Sequence, residues 1–125
     1  MAGSRQGWVE TPYAPCPAGL GDVAALAVQV EMAHPGGVFI LPGLSARDAQ
    51  GAPDVMRGEE TQIFGAAGVA GDGLYCLPGT HSKWAQVRDG RIARFTTYMT
   101  GEIYGLLARM SLLSRTMGDG DFDAA

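Results

Sequence analysis

The sequence predicts a mixed α/β fold, more narrowly an α+β fragment, and two patterns carry that prediction. Segments in which apolar residues recur at helical spacing alternate with short strand-like runs bounded by glycine and proline. Two stretches of alternating apolar and polar residues also flank Asp89-Gly90, which is typical of a β-hairpin with a two-residue turn. The chain has 125 residues, a length that suits one compact domain, and its 19 glycines indicate many tight turns.

The first half is expected to contain one helix and one strand. Residues 1–19 hold several prolines and glycines and are predicted to be irregular. A helix is predicted to begin with Asp22 as its N-cap and to end before Pro35-Gly36-Gly37. A short buried strand then covers Val38 to Leu41, and residues 44–54 are predicted to form a polar loop.

The second half is expected to run helix, strand, hairpin, helix. The first helix starts near Gly58 and stops at Gly71, and the strand Gly-Leu-Tyr-Cys-Leu follows. The hairpin comes next, and Thr100 is predicted to cap the last helix, whose apolar residues have helical spacing. Four aromatic residues are expected in the core of the sheet and its helix: Trp84, Phe95, Tyr98 and Tyr104.

Composition and charge argue against several classes of protein. The net charge is −4 and basic residues do not cluster, so no nucleic-acid surface is expected. Cys16 and Cys76 lack metal-site spacing, and a reduced, cytoplasmic chain is the simpler interpretation. The longest nearly uncharged run, residues 16–30, contains Asp22 and several glycines, so no membrane span is expected, and no leader precedes it.

Between the predicted strand and the hairpin lies the segment Pro-Gly-Thr-His-Ser-Lys. Its glycine allows successive backbone N–H groups to point at one anion, its hydroxyl groups add donors, and its lysine adds a positive charge. Such a loop can hold a nucleotide phosphate, although a polar hairpin loop of no further function explains the same residues. The candidate phosphate-binding residues are Gly79, Thr80, His81, Ser82 and Lys83.

The segment Arg-Gly-Glu-Glu-Thr, which begins at Arg57, places two carboxylates at the start of a predicted helix. A base that takes a proton from a sugar hydroxyl is a carboxylate or a histidine within hydrogen-bond reach, and Glu59 and Glu60 are the candidates. The alternative is a helix N-terminus carrying acidic residues, which is very common.

The segment Gly-Ser-Arg-Gln-Gly-Trp near the start of the chain carries three side chains that can bind a ligand. Arginine can form paired hydrogen bonds to a carboxylate, glutamine can bond hydroxyl groups, and tryptophan can stack on a sugar face. An ordinary loop with one buried tryptophan is the competing interpretation. With Arg57 added, the candidate substrate-binding residues are Ser4, Arg5, Gln6, Trp8 and Arg57.

These three segments occur in one order, followed by Met-Thr-Gly-Glu at residues 99–102. In this the sequence resembles the 2-dehydro-3-deoxygalactonokinase family, also called 2-oxo-3-deoxygalactonate kinases, from Gly3 to about Ser114. The resemblance implies a kinase that uses ATP and Mg²⁺ to phosphorylate the 6-hydroxyl of 2-dehydro-3-deoxy-D-galactonate in galactonate and galactose catabolism. It also implies two ribonuclease-H-like lobes of the actin-like ATPase class, and a three-stranded antiparallel meander followed by a helix opens the second lobe.

The resemblance assigns a role to each segment. The glycine-rich segment lines the sugar pocket, the carboxylate pair supplies the base, and the Gly-Thr hairpin binds the ATP phosphates. It implies that residues 1–55 end the substrate-binding lobe and that residues 56–125 begin the ATP-binding lobe. No protein residue of this chain is expected to bind the metal, and neither nucleic acid nor membrane is an expected partner.

The sequence departs from the family in what it lacks. Family members open with an Asp-x-Gly-Ser/Thr turn that holds Mg²⁺ and phosphate, and they close with a glycine-rich adenosine segment; neither occurs here. The chain is therefore expected to be an internal fragment, inactive by itself and able to self-associate through exposed lobe edges. Another sugar-acid kinase of the same fold, or a small non-catalytic binding domain, remains an alternative.

Overall fold

The computed structural model describes residues 10–30 and 37–116, which form eight strands, three α-helices and one 3₁₀-helix. In chain order they are β1 (Ala14–Pro15), α1 (Leu20–Ala25), β2 (Val28–Val30), β3 (Val38–Ile40), β4 (Leu44–Arg47), β5 (Pro53–Met56), α2 (Glu59–Ala70), β6 (Gly73–Leu77), β7 (Ser82–Arg88), β8 (Arg91–Tyr98), α3 (Thr100–Met110) and the 3₁₀-helix (Leu112–Arg115). This is the mixed α/β class that the sequence predicts. None of the helices in these two ranges is long and apolar enough to cross a membrane.

The strands form three small sheets. In the first, β4 lies between β1, to which it is parallel, and β5, to which it is antiparallel. The second is the antiparallel pair β2 and β3. The third is the antiparallel meander β6-β7-β8, and α3 follows it directly. The predicted three-stranded meander with its helix is therefore present.

The long first helix is a wrong prediction. Gly19, not Asp22, occupies the N-cap, and the Asp22 carboxylate accepts a hydrogen bond from the Gly19 amide at 2.8 Å. The helix ends at Ala25, and Val28–Val30 forms β2. The β-branched valines pair with β3, whose own valine and isoleucine offer a complementary edge, so strand pairing prevails over the helical spacing.

The predicted polar loop over residues 44–54 is also wrong, because it contains two paired strands. Leu44 opens β4 and is fully buried, and Met56 closes β5 opposite it. Between them, Asp48 holds the connecting turn by accepting hydrogen bonds from the amides of Gln50 and Ala52. Only one residue per strand is apolar and fully buried, so the alternation is too short to recognise in the sequence.

The second half follows the prediction closely. The helix α2 begins with Glu59 and is terminated by Gly71, as expected. The hairpin turn has Asp89 and Gly90 at φ values of 51° and 67°, the left-handed conformation that a two-residue turn of this type requires. The Asp72 carboxylate accepts hydrogen bonds from both turn amides, at 2.5 and 3.0 Å. The last helix differs slightly, because Met99 rather than Thr100 is its N-cap.

One hydrophobic cluster joins the two halves of the chain. Residues of the first half, such as Leu44 and Met56, pack in the same core as Ile63, Ile92 and Phe95 of the second. The domain boundary expected at residue 55 stays a prediction. Described residues on both sides of it pack in this one core.

Of the four aromatic residues expected in the core, only Phe95 is buried, with 6% of its surface exposed. Trp84, Tyr98 and Tyr104 are 43%, 55% and 63% exposed. Trp84 and Tyr98 project from the outer face of the meander, opposite the face on which Ala85 and Phe95 are buried. The prediction fails for three of the four because, among the described residues, nothing packs over that outer face or over the apolar stripe of α3.

Candidate active site

The carboxylate pair lies where β5 turns into α2. Gly58 has φ 103°, a conformation that glycine adopts without strain and that directs the chain into the helix. The Glu59 carboxylate accepts a hydrogen bond from the Arg57 amide at 2.9 Å, and that of Glu60 accepts one from the Gly58 amide at 2.7 Å. Both carboxylates thus bond amides that precede the helix, and both are close to the positive end of its dipole.

The two glutamates differ in their surroundings. Glu60 is 2% exposed, whereas Glu59 is half-buried. Burial raises the pKa of the Glu60 carboxyl above its ordinary value; hydrogen bonds from its own amide and that of Gly58 and the charge of Arg57 oppose this rise, and the charge of Glu59 adds to it. A buried carboxyl with a raised pKa suits a group that exchanges a proton in a mechanism.

A cavity of about 260 Å³ opens at this helix start. One wall is β3 with the residue after it, Val38 to Leu41, and the other is formed by Arg57, Gly58, Glu60 and Thr61. Glu60 lines the cavity and Glu59 does not. The cavity joins an apolar wall to a carboxylate and a guanidinium, which suits a small polar molecule with an acidic group.

Arg57 ties this cavity to the beginning of the described chain. Its guanidinium donates to the Thr11 hydroxyl at 2.9 Å and to the Thr11 carbonyl at 3.2 Å, and it lies 4.6 Å from the centre of the Tyr13 ring. The predicted substrate-binding residues Ser4, Arg5, Gln6 and Trp8 precede this segment but lie outside the described residues.

The predicted phosphate-binding loop is anchored to the start of α3. The Gly79 carbonyl accepts from the Gly101 amide at 3.2 Å, and the Thr80 carbonyl accepts from the Glu102 amide at 3.1 Å. The His81 ring and the Glu102 carboxylate add a contact of 2.5 Å. The carbonyl groups of Gly79 and Thr80 therefore face α3. The amides of the loop can donate hydrogen bonds to another acceptor.

Two of those amides have no acceptor among the described residues. Across residues 10–30 and 37–116, the N–H groups of Thr80 and His81 donate to no protein atom, whereas the Gly79 amide donates to the Ser82 hydroxyl at 3.3 Å. Adjacent free amides beside the exposed Thr80 fit an anion with several oxygens. The loop residues do not line the cavity near Glu60, so the structure presents the two candidate sites as neighbouring elements rather than as one pocket.

The sequence motifs did not indicate a role for Gly101, but the position of the loop against α3 depends on this glycine. A Cβ atom on Gly101 would lie 2.7 Å from the Gly79 carbonyl oxygen and 2.9 Å from the Thr80 Cα, closer than such atoms approach. The neighbouring Glu102 is the partner of His81, also unforeseen. Gly101 and Glu102 both belong to the Met-Thr-Gly-Glu segment. Their contacts with the loop could not be predicted, because the loop lies far from this segment in the sequence.

Lys83 does not extend into this loop. Its side chain is 8% exposed, and its Nζ atom donates to the Val55 carbonyl and to the Thr97 hydroxyl, each at 2.7 Å. The described contacts of the ammonium group are with these two oxygens and not with the loop. The predicted contact of Lys83 with phosphate stays a prediction.

Mg²⁺ has no evident protein site in the part of the chain that the structure describes. There, no group of three or more histidine, cysteine, aspartate or glutamate residues is arranged to hold a metal ion. The loop residues fit phosphate oxygens but not a metal, because the nearest carboxylate, Glu102, is paired with His81.

A larger depression of about 980 Å³ lies on the outer face of the meander. Trp84, Tyr98 and Leu74 form its floor, and Arg47 and Asp48 form one rim. The Arg47 guanidinium and one Asp48 oxygen are bonded within their own turn, so this depression offers surface rather than catalytic groups.

Known proteins of one family match this chain over all or most of its length. The sequence model of the 2-keto-3-deoxy-galactonokinase family matches residues 1–125. A protein of Rhizobium meliloti named as a 2-dehydro-3-deoxygalactonokinase, DgoK1, is 47% identical over 127 residues, which covers 100% of this chain and 41% of the relative. The 2-dehydro-3-deoxygalactonokinase of Escherichia coli is 40% identical over 113 residues, which covers 90% of this chain and 37% of the relative.

A solved structure agrees. The crystal structure of a Sinorhizobium meliloti protein described as a 2-dehydro-3-deoxygalactonokinase matches with a TM-score of 0.80 at 46% identity, over 97% of this chain and 40% of that one. The chain thus spans about two fifths of the length of these relatives.

Proposed function

Because the chain belongs to the 2-keto-3-deoxy-galactonokinase family, we propose that it supplies part of the active site of a kinase that transfers phosphate from ATP to the 6-hydroxyl of 2-dehydro-3-deoxy-D-galactonate. Two relatives that carry the name of this activity support the proposal, at 47% and 40% identity. The observation that carries it is the carboxylate pair at the start of α2, in which Glu60 is buried and lines a small cavity beside Arg57.

The carboxylate pair supplies the general base. The sugar acid binds in the cavity with its hydroxyl toward the start of α2, where a carboxylate orients the hydroxyl and accepts its proton. The hydroxyl oxygen forms a bond to the γ-phosphorus of ATP as the bond from that phosphorus to ADP breaks, and ADP leaves. Pocket lining favours Glu60 as the base, and accessibility favours Glu59. Arg57, with residues 4–8 of the chain, provides the positive charge that the substrate carboxylate requires.

The loop from Gly79 to Ser82 holds phosphate oxygens of ATP. The free amides of Thr80 and His81 and the Thr80 hydroxyl point to this role, and the carbonyls bonded to α3 keep the loop in place. ATP brings its Mg²⁺ as a complex, which supplies charge neutralisation at the phosphates when bound. Catalysis in such a reaction consists of positioning and charge stabilisation, so the fixed loop and the fixed carboxylates are the protein's contribution.

The wider setting follows from the same proposal. The meander followed by α3 opens the second of two actin-like ATPase lobes, and the first sheet belongs to the other lobe. The enzyme works in the cytoplasm, where ATP and sugar acids are available. The family match along the whole chain disfavours an unrelated small binding domain.

The substitutions Glu59→Gln and Glu60→Gln, made separately, test this mechanism. We suggest a chimera in which these 125 residues replace the matching 41% of the Rhizobium meliloti relative. Gln at the true base should lower kcat by about 10²–10⁴-fold, because that is the usual contribution of a general base. The other Gln variant serves as the matched control and should retain activity within about tenfold. If both variants retain kcat, the carboxylate pair is not the base.

A further inference from the structure

Lys83 is the single lysine of the sequence, and it is buried. A buried ammonium group is costly unless partners satisfy its charge and its hydrogen bonds. The Val55 carbonyl and the Thr97 hydroxyl accept from it, and an Asp54 oxygen lies 4.0 Å away. The described partners of the ammonium group are therefore Val55, Thr97 and Asp54.

Thr97 completes the connection. Its amide donates to one oxygen of Asp54 at 2.7 Å, and its hydroxyl donates to the other at 2.6 Å while accepting from Lys83. Each hydrogen of the hydroxyl and the amide is used once, so the arrangement is consistent in donors and acceptors. We refer to Asp54, Lys83 and Thr97 as the Lys83 bridge.

The bridge joins the two elements that carry the candidate chemistry. Strand β5 leads within three residues from Met56 to Glu59, and Val55, which Lys83 contacts, is part of it. Strand β7 begins at Ser82, directly after the loop with the free amides, and Lys83 is its second residue. One side chain thus fixes the strand before the carboxylates to the strand after the loop.

We propose that Lys83, with Asp54 and Thr97, is a positioning residue that sets the placement of the carboxylate pair relative to the phosphate-binding loop, and that it is not a phosphate ligand. This inference rests on the proposed function, because only a kinase needs those two elements in register. A small misplacement of reacting groups costs up to about a hundredfold in rate, so loss of the bridge lowers kcat more than it weakens ATP binding.

Four single substitutions in the chimera, and the double variant Lys83→Met with Thr97→Val, test the inference. Lys83→Met and Thr97→Val remove the ammonium and the hydroxyl at nearly constant shape, and Thr97→Ser keeps the hydroxyl. Thr96→Val, on the exposed face of the same strand, is the matched control.

The expected result is a loss in kcat of about tenfold to a hundredfold for Lys83→Met and for Thr97→Val, with KM for ATP changed less than about threefold. The double variant should be no worse than the stronger single one, because both remove one connection. Thr97→Ser and Thr96→Val should retain kcat.

Two results would overturn the inference. If Lys83→Met raises KM for ATP at constant kcat while Thr97→Val has no effect, Lys83 is a phosphate ligand. If the variants lower only the melting temperature and keep kcat, the bridge is structural alone. An inactive unmodified chimera would contradict the proposed function instead, and the next measurement then tests the bridge.

That measurement uses the 125-residue chain itself and needs no activity. Since the sequence has one lysine, reductive methylation of its ε-amine reports a single site. Native Lys83 should react at least about tenfold more slowly than in the urea-unfolded chain, and Thr97→Val should remove part of that protection. Thr97→Val should also speed amide exchange at residues 57–60. Rapid methylation of the native chain, or unchanged exchange at residues 57–60, would contradict the bridge.

Discussion

Burial of the Glu60 carboxyl is energetically unfavourable, and Glu60 is the one charged residue of α2 that is buried. Its carboxylate is buried, and burial disfavours the ionised form, which raises its pKa. A carboxyl whose pKa is higher in the folded than in the unfolded chain stabilises the fold at low pH, and that stabilisation is lost as the pH rises through the folded pKa. Above the ordinary glutamate pKa, burial of this carboxyl therefore costs the fold stability.

Glu60→Gln should raise the melting temperature near pH 7, because glutamine keeps an acceptor for the Gly58 amide and carries no charge. The gain should be on the order of a few degrees, should shrink as the pH falls through the raised pKa toward the ordinary glutamate value of 4.5, and should be absent below that value. Glu10→Gln, at an exposed carboxylate, controls for the loss of one negative charge. Calorimetry from pH 4 to 8 measures both. A pH-independent difference would show that burial of the charge is not the cause.

At the scale of elements, local chemistry decided which predictions succeeded. The hairpin was predictable because Asp89-Gly90 specifies its turn within two residues. The start of α2 was predictable because acidic residues follow a glycine there. The strands β2, β4 and β5 were not, because short strands are defined by partners elsewhere in the chain. The same reason hid the surroundings of Lys83, whose acceptors are 28 and 14 residues away.

The contact between the loop and α3 gives a prediction at this scale. Gly101→Ala should destabilise the chain by about 1–3 kcal/mol, because its Cβ would meet the backbone of Gly79 and Thr80. Gly65→Ala, inside α2 with nothing near its Cβ, should stabilise by about 0.5–1 kcal/mol through helix propensity. Urea unfolding measures both. Equal effects of the two substitutions would mean that the loop does not press against α3.

On the scale of the whole molecule, the described residues leave two apolar surfaces uncovered. The stripe of α3 exposes Ile103, Leu106 and Met110, at 49%, 48% and 81%, and the outer face of the meander exposes Trp84 and Tyr98. Since the chain spans about two fifths of its relatives, these surfaces are where a longer chain or a second copy would pack. Trp84 and Tyr98, which the sequence predicted to be core residues, therefore lie on a surface that no described residue covers.

The isolated chain should therefore self-associate. Sedimentation at rising concentration is expected to show dimers or larger species, and Leu106→Lys with Met110→Lys should shift the distribution toward monomer, because both side chains belong to the α3 stripe. Val69→Lys, at a 93% exposed position on α2, is the control and should leave the distribution unchanged. A strictly monomeric wild-type chain at all concentrations would contradict this expectation.

The central claim is that this chain provides the carboxylates and the phosphate loop of a sugar-acid kinase, and product analysis tests it most directly. The chimera with the Rhizobium meliloti relative is incubated with ATP, Mg²⁺ and a panel of 2-dehydro-3-deoxy sugar acids, and NMR locates the new phosphate. We predict phosphorylation at the 6-hydroxyl with 2-dehydro-3-deoxy-D-galactonate as the preferred substrate, and no product from the 125-residue chain alone. A folded chimera that phosphorylates none of these acids, or a different hydroxyl, would contradict the account.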